Sequence, residues 1–494
     1  MILNKFLWKN YLETEGGKKA VGLFANAKTV DLLSRFMSEY HLDANDSADF
    51  IDNLVDFAAS PIIPSDLTIE GAQQIFKEIV SDGFTVKFGE EIEEFRPDEV
   101  DFLHLVPIIS TWLFYSFPDY FKPYFFRLRF QLLTQIADSF GLELPVVPLK
   151  RNREERLLYY WKLCQSFYEF QLRNEMTAFE FCAFLYDFAP SYVEQSQVRE
   201  TELPKATQVW MVGGDKGGND FKFLDNYEEG NTSFWQGNVD TKFGDIIIMY
   251  CLSPRSFIHS VWRATKDGIA DPFFHYYSSI YISKGIKVAP ITLQELKVDE
   301  HFSKHPLVRK NFQGVNGYLL NHEDYRRIQE LIVKNGGSTI GLPQLYSPNF
   351  ELNQALHVER DVELNLVEPF LKELGYSEQD WERQLSVRMG RGERNFPDYA
   401  FLTSKERNYE IASMLIEVKF WIRNNKDLEE TFKQVYSYGL RLSAKILVIG
   451  DKEAIWIYEK HNVSFDRSRY IKKYWKELEM PDEFARIKKM LGPK

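Results

Sequence analysis

Cysteine is scarce in this sequence: the three residues that occur, Cys164, Cys182 and Cys251, are widely spaced and lie among apolar neighbours. They cannot form a zinc site alone and they provide no disulfide framework, which favours a reducing compartment. An N-terminal signal peptide is missing as well, because the apolar start soon becomes charged. The most apolar run, 102–117, contains a histidine and a proline and is too short to span a membrane. We therefore expect a cytoplasmic protein that does not contact membranes.

An excess of positive charge is also absent, since 60 Lys and Arg oppose 72 Asp and Glu for a formal net charge of −12. This balance argues against a protein that coats nucleic acid nonspecifically, but it is compatible with a local basic groove. The stretch 467–494 is locally basic. A phosphate-binding loop is missing too, because Gly213–Gly218 lacks the Gly-Lys-Ser/Thr ending. The chain is therefore not an ATP-driven motor by itself, although a partner subunit that supplies ATP hydrolysis is not excluded.

The length of 494 residues predicts two to four domains, each large enough for its own core. Helical periodicity dominates residues 1–198 and predicts an all-α domain whose role the sequence does not specify. Short strands with turn signals dominate 199–335 and predict a small β-barrel. Glycine and proline punctuate a linker at 336–350. Residues 351–494 have the order helix, strand, strand, helix, strand, which predicts an α/β domain. For the whole chain we therefore expect the multidomain α+β class.

Two strand-like segments near the C-terminus carry acidic residues. Residues 396–401 predict a strand entered through a turn, and 414–420 predict a more buried strand. Pairing the two brings Asp398 close to Glu417, and Lys419 shares the face of Glu417 because residues two apart on a strand point the same way. Two carboxylates and an ammonium on otherwise apolar strands suit a magnesium site that activates water at a phosphodiester.

The tetrapeptide Phe-Pro-Asp-Tyr occurs twice, at 396–399 and at 117–120. The second copy is followed by aromatic and basic residues without an acidic partner. We interpret that copy as structural.

The segments on either side add further polar groups. Upstream, Glu359 and Glu363 lie one helical turn apart, so either can reach the metal. We assign Glu363, although the spacing leaves the choice between them open. Downstream, the helix at 428–442 carries Gln434 and Tyr438 on one side.

Four short motifs together resemble the PD-(D/E)XK nuclease superfamily, in particular the nuclease domain of type I restriction motor subunits. They are Glu363, Pro397-Asp398, Glu417-Val418-Lys419 and Gln434-x-x-x-Tyr438. The resemblance covers about 353–494. It implies that Asp398 and Glu417 bind Mg²⁺, with Mn²⁺ as an alternative, helped by the Val418 carbonyl and the helix glutamate. It also implies that Lys419 is catalytic and that Gln434 supports the site. The long connection between Asp398 and Glu417 departs from the family pattern.

The middle region resembles the EVE domains of the PUA-like superfamily through Val209-Trp210, Trp235-x-Gly237, Lys242-Phe-Gly-Asp245, Asp271-Pro272 and the segment 311–314. This resemblance implies a pocket for a modified base flipped out of the duplex, held by stacking and by hydrogen bonds to its edge. The candidate residues for this pocket are Trp210, Trp235 and Phe312 as rings, and Asp240 or Asp215 as readers of an amino edge.

These observations lead to the hypothesis of a modification-dependent DNA restriction endonuclease that acts in defence against foreign DNA. The middle domain would read a modified base of the methylcytosine type in double-stranded DNA, and the C-terminal domain would cleave. Because a double-strand break needs two active sites, we expect a homodimer at least on DNA. Two alternatives stay open: a non-cleaving binding protein for modified nucleotides, and a repair or RNA-processing nuclease.

Overall fold

The computed structural model describes residues 3–26, 32, 68–82, 84–88, 91–95, 102–196, 203–217, 220–228, 232–350, 352, 355–388, 394–406 and 410–493. The chain divides into two compact units. The first comprises Met1–Pro204, Met211–Lys287 and Pro306–Tyr318, and the second comprises Lys205–Trp210, Val288–His305 and Leu319–Lys494. Among the described helices, none combines the length and the apolar character needed to cross a membrane.

The first unit begins with helices that pack their apolar faces together. They are α1 (Lys5–Glu13), α2 (Glu15–Asn26), α3 (Ile69–Asp82), α4 (Phe102–Ser116), α5 (Phe130–Phe140), α6 (Arg153–Arg173), α7 (Ala178–Ala183) and α8 (Ala189–Ser196), with a π-helical turn at Phe184–Phe188. Their core is dominated by aromatic rings, including Phe121, Tyr160 and Phe167, which are almost completely buried. Most aromatic residues of this region thus serve the core, where each ring removes a large apolar area from water.

The prediction of an all-α N-terminal region was wrong at one hairpin. Strands β1 (Phe84–Phe88) and β2 (Glu91–Phe95) pair antiparallel between α3 and α4, in register from Phe84 opposite Phe95 to Phe88 opposite Glu91. The alternation of Phe84, Val86 and Phe88 with polar residues has the two-residue period of a strand. That short alternation was missed among longer helical patterns.

A seven-stranded sheet follows in the chain. Its strands are β3 (Val209–Gly214), β4 (Ser233–Gln236), β5 (Ile246–Cys251), β6 (Phe257–Ala264), β7 (Ile269–Ala270), β8 (Ser278–Thr292) and β9 (Asn316–Leu320), in the order β4-β8-β6-β5-β3-β9 with β7 beside β8. Short helices lie between or after them: α9 (Asp220–Asn226), α10 (Leu293–Val298), a 3-10 turn (Phe302–Lys304), α11 (Pro306–Arg309) and α12 (His322–Lys334).

The two edges of this sheet are linked beyond β4. The side-chain amide of Asn238 donates to the Gly317 carbonyl of β9 at 3.0 Å. Gly317 has φ +71°, and a Cβ atom there would lie 2.5 Å from the Asn238 nitrogen, so only glycine permits this approach. The sheet therefore curves into a half-barrel.

The second unit contains a six-stranded sheet in the order β10-β13-β14-β15-β16-β17. Its elements are α13 (Glu359–Val362), a π-helical turn (Glu363–Val367), α14 (Glu368–Leu374), β10 (Glu382–Arg383), β11 (Val387–Arg388), β12 (Arg394–Asn395), β13 (Tyr399–Ser404), β14 (Ile411–Val418), α15 (Asn425–Arg441), β15 (Ile446–Gly450), β16 (Ala454–Glu459), β17 (Ile471–Tyr474), α16 (Trp475–Leu478) and α17 (Pro481–Leu491). Strands β11 and β12 form a separate pair. Gly375 ends α14 in the left-handed conformation that glycine adopts without strain.

Both faces of the six-stranded sheet are buried by helices. Alternate residues of the strands pack with α14 and α17 on one side, including Ile416 and Phe370, and with α15 on the other, including Leu415 and Val435. Strand β14 pairs antiparallel with β13 but parallel with β15, and α15 supplies the crossover that a parallel pair requires. At this level the chain has the mixed α+β class that the sequence predicts.

Candidate metal and nuclease site

Antiparallel pairing places Asp398 beside the end of β14. Tyr399 lies opposite Ile416, so Asp398, the residue before Tyr399, comes next to Glu417 and Val418. The Oδ2 atom of Asp398 accepts the Val418 N–H at 2.7 Å. Burial raises the pKa of Asp398, while the Val418 N–H and the Lys419 ammonium oppose the rise. The juxtaposition of Asp398 and Glu417 inferred from the strand pattern is present in the structure.

Glu417 is the most deeply buried acid of the group, with 1% of its surface exposed. Its Oε1 accepts from the Lys419 ammonium at 2.7 Å. Its Oε2 is buried and has no hydrogen-bond partner among the described residues. Burial, followed by the charge of Asp398, raises the pKa of Glu417 to about 7. A buried carboxylate oxygen without a donor is costly and is the kind of ligand atom that a cation satisfies.

Lys419 points to the same side as Glu417, as expected for residues two apart on a strand. Burial alone would lower the pKa of Lys419, but the adjacent Glu417 carboxylate outweighs it and raises the pKa above the ordinary value. The side chain is therefore an ammonium at neutral pH, held against a carboxylate.

Helix α13 and the turn after it bring two more carboxylates to Asp398. Ligand oxygens of Glu359, Glu363 and Asp398 all lie within 4.8 Å of one another. Burial raises the pKa of Glu359 and of Glu363, and in both cases the charge of Asp398 adds to the rise. Three carboxylates so close together repel one another unless a cation or a proton intervenes.

The two helix glutamates have different partners. Glu363 is bound by two guanidinium groups, those of Arg360 and Arg383. Glu359 instead lies in the field of the Lys419 ammonium and near the Phe420 N–H, both of which lower its pKa against the effect of burial. Glu363 is thus neutralised by protein cations, and Glu359 faces the Glu417–Lys419 pair. Both glutamates that the sequence left open belong to the cluster.

Helix α15 contributes Gln434 and Tyr438. The Gln434 amide donates to the Tyr438 hydroxyl at 3.2 Å. Burial raises the pKa of Tyr438, and the charges of Glu417 and Asp398 raise it further, which puts this hydroxyl in the field of the acidic cluster. Gln434 therefore reaches the cluster through Tyr438.

The donor set fits a hard divalent cation. Carboxylates of Asp398, Glu417 and Glu359 or Glu363, together with a main-chain carbonyl such as that of Val418, are the oxygen ligands that Mg²⁺ or Mn²⁺ takes. The acidic cluster alone does not distinguish Mg²⁺ from other hard cations.

Comparison with known proteins adds little. No protein-family model matches the chain. No curated protein matches it either. The NMR structure of Rpa0253 from Rhodopseudomonas palustris, a structural genomics target, is similar over 26% of this chain and 92% of its own length, with 16% identity and a TM-score of 0.22. A likeness of that size carries no argument about fold or function.

The copy of Phe-Pro-Asp-Tyr at 117–120 lies in different surroundings from the copy at 396–399. Asp119 is exposed on a turn at 118–120, and its main-chain carbonyl accepts from Lys122. Among the described residues, Asp119 belongs to no group of acids whose oxygens lie close enough together to hold a metal ion. Its surroundings agree with the structural role expected for it.

A cavity of about 750 Å³ in the second unit lies apart from the carboxylates. None of its lining residues is a predicted site residue; they are Leu352, Leu356, Asn365, Leu366, Lys452, Glu453, Tyr474, Trp475, Lys476, Glu477, Glu479 and Met480.

The three rings proposed for a base pocket are buried: Trp210, Trp235 and Phe312 expose 3%, 5% and 2% of their surfaces. Phe312 stacks on Tyr250 with ring centroids 3.8 Å apart. Trp235 donates its indole N–H to the Gly213 carbonyl at 3.0 Å. Trp235 and Phe312 thus have different partners.

The two acids proposed for the pocket also differ. Asp240 is exposed, and its N–H donates to the Asn238 side chain at 2.9 Å. Asp215 is half-buried, and its Oδ1 accepts the Gly217 N–H at 2.7 Å. The N–H of Asp215 donates to Asp220, whose pKa burial raises to about 6. The carboxyl next to Asp215 is therefore a group that the sequence did not single out.

An aromatic cluster near Trp235 was also missed. Phe223 lies 6.0 Å from Trp235 and 5.7 Å from Trp262 between ring centroids, and Tyr227 meets Trp262 edge to face at 4.4 Å. The Trp262 indole donates to Ser260 at 2.7 Å. Apart from their aromatic character, no motif marks these residues, because strands distant in sequence bring them together.

Proposed function

We propose that this chain is a modification-dependent DNA restriction endonuclease of the PD-(D/E)XK kind. The observation that carries the proposal is the meeting of Asp398, Glu417 and Lys419 at the ends of two paired strands, with a helix glutamate beside them. This convergence of residues from separate segments supports the proposal.

The roles of the residues follow from their contacts. When bound, a divalent cation lowers the pKa of a coordinated water and neutralises charge on the phosphodiester. Asp398 and Glu417 would hold that cation, with Glu359 as the helix glutamate that has fewer protein cations around it. Lys419, ionised and held by Glu417, is positioned to orient the attacking water or to stabilise negative charge on the phosphate. Tyr438 and Gln434 support the arrangement from α15.

The half-barrel supports the reading role. The half-buried rings of Phe223 and Tyr227 pack on the buried Trp262, and the Asp215–Asp220 pair adds carboxyl oxygens. A flipped base is held by such rings and edge contacts. In this proposal the reader provides selectivity in the cytoplasm, and two copies of the chain assemble on double-stranded DNA to cut both strands.

The test is cleavage of matched plasmids that are unmodified or carry methylcytosine or hydroxymethylcytosine, each with magnesium and with EDTA. Wild type is compared with Asp398→Ala and Lys419→Ala. Asp119→Ala is the matched control, because it alters the same tetrapeptide outside the site. We expect magnesium-dependent cutting of a modified plasmid by wild type and Asp119→Ala, and none by the two site variants.

Other outcomes would redirect the proposal. Equal cutting of all plasmids would remove the selectivity. Binding of modified DNA without cutting would favour a reader without nuclease activity, and cutting of structured RNA alone would favour an RNA-processing nuclease. Cutting by Asp398→Ala at the wild-type rate would refute the site.

A further inference from the structure

One tryptophan of the second unit is exposed, unlike its counterparts. Trp421 exposes 41% of its surface. The other tryptophans whose side chains the structure describes expose at most 7%; they are Trp8, Trp161, Trp210, Trp235, Trp262, Trp381, Trp456 and Trp475. Leaving the largest apolar side chain in water forgoes the stabilisation that burial would bring. Such a ring is well placed to bind a partner.

Two cations flank this ring. The Lys452 ammonium lies 4.0 Å from the centroid of the Trp421 ring and 5.0 Å from that of Phe420. The Arg423 guanidinium lies 5.4 Å from the Trp421 ring. Neither cation forms an ion pair within the described residues. A partly exposed ring with two cations against it offers aromatic surface for stacking together with contacts for phosphates.

The loop that carries Trp421 is held in place. The carboxylate of Asp451 is fully buried and accepts the Ile422 N–H at 2.8 Å, and it also accepts the N–H groups of Glu453 and Ala454. The Lys452 N–H donates to the Phe420 carbonyl at 3.3 Å. The loops that follow the parallel strands β14 and β15 are thereby joined, so the ring and its cations are presented on a fixed support.

The position of the ring relates it to the candidate site. Trp421 follows Lys419 by two residues, and the N–H of the intervening Phe420 lies near Glu359. A nucleic-acid strand whose phosphate lies at Lys419 would therefore pass next to Trp421.

We propose that Trp421, Arg423 and Lys452 form a stacking platform for an unpaired base next to the phosphodiester that is cleaved. This inference rests on the proposed nuclease function and specifies its substrate further. Within a duplex both faces of a base are covered by its neighbours, so an exposed indole face can stack only on a base that has left the stack. The substrate is a strand with unpaired nucleotides at the cut, such as a frayed end, an overhang or a locally opened duplex.

The test measures binding in EDTA, so that hydrolysis plays no part. Fluorescence anisotropy follows a labelled single-stranded oligonucleotide, the same sequence as a blunt duplex, and the duplex with a single-stranded overhang. The full-length variants are Trp421→Ala, Trp421→Phe, Arg423→Ala and Lys452→Ala. Phe6→Ala, which removes a ring that is 70% exposed in the first unit, is the matched control.

We expect Trp421→Ala to weaken binding of the single strand and of the overhang by about 5- to 100-fold, the effect of losing one base–aromatic stack. Binding of the blunt duplex should change little. Trp421→Phe should retain most of the affinity, which excludes a folding defect as the cause. Arg423→Ala and Lys452→Ala should each lower the slope of log affinity against log salt by about 0.7, as expected for one phosphate contact on a single strand.

The platform is refuted if Trp421→Ala binds the single strand as Phe6→Ala does, whatever the plasmid assay shows. It is also refuted if Trp421→Ala weakens the blunt duplex as much as the overhang. If no plasmid is cleaved but Trp421→Ala still weakens oligonucleotide binding as expected, the nuclease function is refuted and the platform is supported. Absence of oligonucleotide binding by wild type would refute the platform, and the plasmid assay would still decide the nuclease function.

Discussion

Replacing Glu417 by glutamine should stabilise the protein at alkaline pH in the absence of metal. Glu417 is 1% exposed, and burial together with the charge of Asp398 raises its pKa from 4.5 to about 7. A shift of that size corresponds to about 3 kcal/mol that the folded protein must supply to keep the carboxylate ionised. Glutamine is neutral at every pH and retains an oxygen that can accept from Lys419.

The sign of the pH dependence follows from the raised pKa. The folded state binds the proton more tightly than the unfolded chain does, so the contribution of Glu417 to stability is complete below pH 4.5 and is lost as the pH rises through 7. The Glu417→Gln variant keeps this contribution to stability at every pH, because glutamine does not ionise. The difference in free energy of unfolding between variant and wild type should therefore be near zero at pH 4.5 and reach about 3 kcal/mol in favour of the variant above pH 8.

Denaturant unfolding across this pH range in EDTA measures the difference directly. Glu430→Gln, an exposed glutamate on α15, controls for the loss of one negative charge. Magnesium added at a thousand times its dissociation constant should reverse the order, because a cation that binds only the folded wild type stabilises it by about 4.1 kcal/mol at that concentration. A Glu417→Gln protein that is equal to or less stable than wild type at pH 8 in EDTA would show that the carboxylate carries no such cost.

Two further predictions concern packing and loop support. Gly285→Ala should destabilise the protein by about 1–3 kcal/mol, because the new Cβ would lie 2.5 Å from the Trp262 ring. Gly22→Ala is the control: Gly22 lies inside a helix, and the nearest atom to its new Cβ would be 3.8 Å away. That substitution should be neutral or stabilise the protein by up to about 1 kcal/mol. Urea denaturation compares them, and equal effects would contradict the packing argument. Asp451→Ala should cost about 2–4 kcal/mol by leaving three buried N–H groups without their acceptor, and it should also weaken single-strand binding. Wild-type affinity for the oligonucleotide in that variant would show that the loop needs no such support.

The acidic pair was predictable because its determinants are local. The two-residue period of a strand aligns Glu417 with Lys419, and one antiparallel pairing suffices to place Asp398 beside them. The glycine that ends α14 was predictable for the same reason, since the left-handed conformation of Gly375 depends on a single residue.

Other features depend on contacts that are distant in sequence. Arg383, which binds Glu363, stands in no motif, and only the pairing of β10 with β13 brings it there. The helical spacing of Phe125, Leu128 and Leu132 extends beyond the helix itself, because α5 starts at Phe130 and Leu128 adopts a positive φ of 61°. A stripe records which side chains are buried, and it does not record whether the backbone between them is helical.

The irregular part of the β13–β14 hairpin has a consequence for protein engineering. The register is regular from Tyr399 to Phe401, next to Asp398, and it shifts only further along, between Phe401 and Leu402 and between Leu402 and Ser404. Added length in the connection can be absorbed at those shifts before it reaches the carboxylates. A short epitope or labelling tag inserted between Glu406 and Glu410 would therefore report on the protein while leaving the pairing of Asp398 with Val418 in place.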